Sequence, residues 1–252
     1  MAHFRDLKRT VRDILTGQGW REGLDGLAVF PPRQLAGPLF SLLLDKDELV
    51  RWRAVEAFGR SIARLAEGPE QGPGGGMEAA RGVLRQCLWR MNEESGGLGW
   101  GIPEALGESL ARNRRLAGEF HRVLASYVRH ETSGEGNYLE HAALRRGVFW
   151  GLGRLAQSFP ELLAGEGAAL LAGLADEDGA NRGLAAWVTG LVGRGVLQIP
   201  GGALAALAND ATEVTLFLDG ELLRTTTGQL ARQALARLGL AQDGSAQDGS
   251  AR

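Results

Sequence analysis

RWRAVEAFG (Arg51–Gly59), GWGIPEALG (Gly99–Gly107), RRGVFWGLG (Arg145–Gly153) and RGLAAWVTG (Arg182–Gly190) are four versions of one short helical pattern, each closed by a glycine. Gly59, Gly107, Gly153 and Gly190 recur 48, 46 and 37 residues apart. A supersecondary unit at that period points to a solenoid of stacked helix pairs. Aligned on the glycines, the residues three places earlier are Glu56, Glu104, Trp150 and Trp187. Seven places earlier stand Trp52, Trp100, Arg146 and Gly183, and eight places earlier Arg51, Gly99, Arg145 and Arg182. The glycine and the positions three and seven before it share one side of a helix, so stacking lines them up in ladders. Glycine costs about 1 kcal/mol against alanine inside a helix, so close packing of the two helices of a pair is expected to offset it. The arginines are expected to pair with turn carboxylates, Arg51 with Asp45 or Asp47 and Arg182 with Glu177 or Asp178. Such pairs fix register more than they add stability.

Working outward, residues 3–16 read as an amphipathic helix, with Phe4, Leu7, Val11, Ile14 and Leu15 on one face. The stretch Gly23–Pro32 reads as irregular. Helix pairs follow at Arg33–Leu44 with Asp47–Ala66, at Met77–Asn92 with a helix ending near Asn113, at Leu116–His130 with Tyr138–Ser158, and at Glu161–Leu174 with Asp178–Gly193. A fifth pair begins at Pro200 with a short helix, Ala203–Ala208. The second pair holds Pro103, and the repeat alignment predicts a long helix with this proline as an interior kink. The stretches Glu67–Gly76 and ETSGEGN (residues 131–137) read as loops. Near the C-terminus, Val214–Leu218 and Glu221–Thr225 flank Asp219-Gly220, a strong hairpin signal. The hairpin, 214–225, is expected to cap the end of the solenoid, followed by a helix at Thr227–Leu238. Residues 241–252 repeat AQDGS and read as a disordered tail. One domain is therefore expected over 1–240.

The run PLFSLLLDKDELVRWRAVEAFGRSIARLAE (Pro38–Glu67) resembles a HEAT repeat of the armadillo-like α-solenoid family. Pro38, Asp45, Val50, Arg51, Ala54, Ala57 and Gly59 match the family pattern. The resemblance covers roughly residues 33–195, and the second repeat departs from it with Gly99 and Pro103. It implies an all-α solenoid of about five HEAT-like helix pairs with a small C-terminal β-hairpin. It also implies a protein-binding scaffold and names no activity. The passage Trp89–Glu104 is similar to a segment of bacterial HEAT-like proteins, which implies no reaction.

Composition narrows the function classes. The chain has 252 residues, 44% of them hydrophobic, and a formal net charge of −2. That balance disfavours a general nucleic-acid binder. Cys87 is the single cysteine, which excludes an intrachain disulfide or a cysteine-rich metal site, and it reads as a core residue. No apolar run is long enough to span a membrane, and the N-terminus lacks a signal-peptide core, so a cytoplasmic protein is expected. No G-x-S-x-G elbow is present. His130, Glu131 and His141 flank one loop, but without a helical His-x-x-x-His pair they read as loop-end residues rather than metal ligands. The glycines of 96–101 could cradle a phosphate, but neither the Walker spacing nor its lysine is present. No metal and no cofactor is expected.

The best functional candidate is Trp89–Glu104, which gathers Asn92, three carboxylates, Ser95 and two tryptophans around glycines. The expected function is a non-catalytic scaffold that binds a protein or peptide on a concave face lined by Trp52, Glu56, Asn92, Glu94, Trp100, Glu104 and Arg146. The other expectation is an enzyme on the same scaffold. Trp52 with Glu56, and Trp100 with Glu104, are similar in type to the Trp and carboxylate pairs of HEAT-like DNA glycosylases. A bilin lyase, acting on a bound linear tetrapyrrole, is the further enzymatic possibility. The bland reading of the same pairs is Glu covering a Trp ring on a helix surface, with Glu56 tied to Arg53 or Arg60.

Overall fold

A computed structural model describes residues 2–69, 74–92, 99–130, 136–197 and 200–240. The expected linker residues 70–73, the glycine-rich residues 93–98, the loop 131–135 and the tail 241–252 lie outside the described residues.

Helix α1 (Ala2–Thr16) buries Leu7, Val11 and Leu15 at helical spacing. Where an irregular stretch was expected, α2 (Trp20–Gly26) forms, followed by a 3-10 turn at Leu27–Val29. Trp20, Leu24 and Leu27 are all buried, and their spacing places them on one helix face despite the surrounding glycines.

Five helix pairs follow. They are α3 (Pro32–Leu42) with α4 (Glu48–Glu67), α5 (Gly75–Met91) with α6 (Ile102–Arg112), and α7 (Arg114–Ser126) with α8 (Ala142–Ser158). Then come α9 (Gly167–Gly173) with α10 (Gly179–Val192), and α11 (Gly201–Ala205) with α12 (Thr227–Arg237). The expected single helix Glu161–Leu174 is split into a 3-10 turn, Pro160–Leu163, and α9, with Gly165 and Gly167 at the break. The second helices of the pairs form the spine: α4 packs on α6, α6 on α8, α8 on α10 and α10 on α12. First helices straddle the spine, α5 touching both α4 and α6, and α7 touching both α6 and α8. The glycine-marked segments therefore lie in successive layers.

The glycines serve the spine rather than the individual pair. A Cβ on Gly59 would strike Glu108 of α6, one on Gly107 would strike Gly151 of α8, one on Gly153 the Trp187 ring of α10, and one on Gly190 would meet Ala234 of α12. The missing side chain admits the next layer, which corrects the expected role inside each pair. Pro103 also departs from expectation. Gly101 takes a left-handed conformation (φ 72°) and ends any helix approaching from the N-terminal side, so α6 begins at Ile102 and Pro103 sits in its first turn. A proline fits there because the first amides of a helix have no intrahelical acceptor.

Two of the repeat arginines, Arg145 and Arg182, pair across layers, whereas Arg51 stays within its own turn. Arg145 donates to the carbonyls of Leu139 and Glu140 and forks Asp176 of the next turn at 2.8 and 2.9 Å. Arg182 donates to the Asp176 and Glu177 carbonyls and to the Asp210 carboxylate at 2.6 Å, rather than to the Glu177 or Asp178 side chain. Arg51 donates to the backbone carbonyl of Asp45 at 2.9 Å, while the Asp45 carboxylate is held by Arg12 of α1 at 2.7 Å. Each aspartate also accepts the N–H two residues on, from Asp47, Asp178 and Thr212 respectively. One carboxylate thus closes its own turn and clips the preceding layer. Hydrogen bonds from Arg12 hold Asp45, and from Thr212 and Arg182 hold Asp210, below the usual carboxylate range, Asp210 at about 2.

The hairpin is inserted between α11 and α12. Strand β1 (Glu213–Leu218) pairs antiparallel with β2 (Glu221–Thr226), and Leu218 faces Glu221 across Asp219-Gly220. Both turn residues have positive φ, 51° and 89°, as a tight hairpin turn of this hand requires. The hairpin does not merely close the end of the array, because it lies along the spine. Trp150 Nε1 of α8 donates to the Phe217 carbonyl at 3.0 Å. The Phe217 ring stacks on Trp52 of α4 with centroids 5.4 Å apart, and Gly220 abuts Trp20 of α2. Val214, Leu216 and Phe217 are buried, so β1 finds the cover that its weakly polar sequence calls for.

Candidate functional site

The hairpin divides the spine face into two hollows. The larger, about 590 Å3, is bounded by the turn Leu43–Glu48, by Arg51, Trp52 and Val55 of α4, and by Trp100, Gly101 and Glu104. Arg146, Gly147 and Trp150 of α8 and Glu213–Thr215 of β1 close it. Trp52, Trp100 and Arg146 share it because they occupy the same repeat position, seven residues before the layer glycine.

Glu104 is the decisive group. Its Oε2 is buried and has no hydrogen-bond partner among the described residues. Burial pushes the carboxyl up to about 7, against smaller opposing effects of a backbone hydrogen bond and of the nearby Arg51 charge. Gly147 makes the space: a Cβ there would lie 2.5 Å from the Glu104 carboxyl carbon. Trp100, 37% exposed, stands at the mouth with its ring edge-to-face against His141, 5.1 Å between centroids.

The charges in this hollow are unevenly engaged. Arg146 forks Asp178, Arg51 binds the Asp45 carbonyl, and Asp45 itself is taken by Arg12. Glu48, Glu104 and Glu213 have no ion-pair partner among the described residues. Arg51, whose only acceptor among the described residues is a neutral carbonyl, is one uncompensated cation against these three carboxylates, so the hollow is net negative at and above neutral pH.

The remaining sequence candidates fall elsewhere. Glu56 lies beyond the Phe217–Trp150 contact, in a smaller hollow of about 210 Å3, where it binds Arg21 and Arg60. Arg53, considered as its partner, instead donates to the Leu15 and Gly17 carbonyls. Asn92 is exposed at the end of α5, outside the lining of either hollow. Glu94 lies outside the described residues, as does Glu131. Cys87 is fully buried on α5, and burial pushes its thiol up to about 12, which leaves it a core residue. The repeat alignment did not single out Gly147 or the β1 edge. Their signal was available only indirectly, in the lack of a polar face on β1.

The layers described above define the fold. It is an armadillo/HEAT-like helical-repeat solenoid. No family model matches the chain, and no curated protein matches it. Among solved structures, the solenoid is similar to computationally designed armadillo repeat proteins for modular peptide recognition, at 16% identity and a TM-score of 0.49 over 94% of this chain and 92% of that one. It is similar to the designed armadillo repeat protein YIII(Dq)4CqI at 18% identity and TM-score 0.49, with 94% and 92% covered. An engineered protein matches at 15% identity and TM-score 0.47, covering 93% of this chain and 96% of that one. No helix among the described residues is long and apolar enough to cross a membrane.

Proposed function

We propose that this solenoid is a non-catalytic interaction scaffold that receives a basic side chain of a protein or peptide partner in the hollow beside β1. One observation carries the reading: a buried, unpartnered carboxylate oxygen of Glu104 in a hollow walled by Trp52, Trp100 and Trp150. Aromatic faces attract cations, and a carboxylate in a poorly hydrated site gains most from a cationic partner. The uncommitted Glu48 and Glu213 at the margins add to the attraction.

The carboxyl titrates near 7, so the pH dependence has a definite sign. A cation binds the ionised form. Below about pH 7 a proton must leave first, and affinity is expected to fall by up to about tenfold per pH unit as the medium is acidified. Above that range it levels off. The test is calorimetric titration with short lysine- and arginine-bearing peptides, each paired with the same sequence carrying glutamine. Basic peptides are expected to bind, and Glu104→Gln to weaken them by about tenfold or more. Equal binding of the glutamine peptides, or affinity that rises on acidification, would overturn the proposal.

A further inference from the structure

The smaller hollow has the opposite character. Arg21 of α2, Arg60 of α4, Arg112 of α6 and Arg154 of α8 converge there on Glu56 and Glu108. Glu56 accepts from Arg60 at 2.9 Å and Arg21 at 3.2 Å, and Arg112 approaches it at 3.5 Å. Glu108 accepts from Arg112 at 2.6 Å and from Arg154 at 2.7 Å. The carboxylates form a buried floor, their side chains 9% and 2% exposed. The guanidiniums stand above them, 38%, 36%, 27% and 25% exposed in the order Arg21, Arg60, Arg112, Arg154.

Four guanidiniums over two carboxylates leave an excess of two positive charges. Asp219 at the hairpin tip and Asp25, 3.9 Å from Arg60 and 83% exposed, are solvent-exposed carboxylates, where screening weakens their pull. Hydrogen-bond capacity is just as lopsided. The four side chains offer about twenty N–H donors against about eight acceptor sites on the two floor carboxylates. Arg21 Nε is buried with no acceptor among the described residues.

We propose that this hollow is an oxyanion site for a phosphoryl group. A phosphate monoester carries a charge of about −1.5 to −2 near neutral pH and three strong acceptor oxygens, and planar guanidiniums recognise it by paired hydrogen bonds. Its charge matches the excess of the four guanidiniums over the two buried carboxylates, and it would displace the exposed Asp219 and Asp25 as their counter-charge. The site needs every layer from α2 to α8, so its occupation would also clip the first half of the array together.

The experiment is calorimetric titration of the full chain with inorganic phosphate and, separately, with a phosphoserine peptide, each against chloride at matched ionic strength. Saturable binding in either arm is the expected result. Binding of phosphate alone identifies a free-anion site, and binding confined to the peptide identifies a phosphorylated partner. An Arg60→Gln/Arg154→Gln variant retains Arg112 across both glutamates, and it is expected to bind about tenfold or more weakly, with its circular dichroism unchanged. If that variant does not fold, Arg60→Gln alone carries the comparison. Lack of saturation in both arms, or equal affinity in the folded variant, would overturn the proposal.

Discussion

Arg145→Ala is expected to lower the unfolding free energy by about 3–5 kcal/mol. The Arg145 and Asp176 side chains are only 7% and 5% exposed, and the guanidinium also holds two carbonyls of its own turn. Removing it strands a buried carboxylate and two acceptors at once. Burial by itself would raise the Asp176 carboxyl, but hydrogen bonds from Arg145 and from the Asp178 amide hold it below the ordinary range. A depressed carboxylate contributes stability above its unfolded value, near 3.8, and that contribution is lost as pH falls toward the folded value. The gap between wild type and variant should therefore be largest near neutrality and shrink in acid. Urea unfolding at several pH values measures it. Arg146→Ala is the contrast: the neighbouring pair with Asp178 is 46% exposed on the arginine side, and the expected loss is about 1 kcal/mol or less.

Gly107→Ala is expected to cost about 2–3 kcal/mol, although alanine favours a helix by about 1 kcal/mol. The added methyl would stand 2.8 Å from the Gly151 carbonyl carbon and oxygen, and backbone cannot move aside as a flexible side chain can. The two helices here touch through facing glycines, so the whole α6–α8 contact must open. Gly118→Ala on α7 meets nothing within 4 Å and should stabilise the protein by up to about 1 kcal/mol. Opposite signs from the same chemical change, measured by thermal or urea unfolding, separate packing from propensity.

The layered architecture was legible because it is written locally. Asp45, Asp47 and Val50 announce a capped helix start, and Gly59, Gly107, Gly153 and Gly190 mark one position in each layer. Which neighbour each glycine admits was not legible, because the helical period gives a face and not the identity of what covers it. Arg182 was given the wrong partner for the same reason: Asp210 lies in the turn nearest to it in space, yet 28 residues away in the chain. The Arg145–Asp176 pair, 31 residues apart, was not foreseen at all.

The site was half legible. Trp52, Trp100 and Arg146 fall together because the repeat places them on one ladder, and Glu104 joins them from the neighbouring ladder on the same helix side. Glu56 belongs to the same alignment but falls on the far side of Phe217, a residue more than 150 positions away. Only the path of the hairpin separates the two groups. The Arg21–Arg154 cluster left no local signature, since each of its arginines comes from a different layer and looks alone like an ordinary surface charge.

Both proposed sites depend on the hairpin lying along the spine. A double-mutant cycle of Trp52→Ala and Phe217→Ala, followed by urea unfolding, measures that contact directly. The stacked rings predict a coupling of about 0.5–1.5 kcal/mol. Strictly additive losses would mean that the two rings do not meet, and the division of the spine face into two hollows would be wrong.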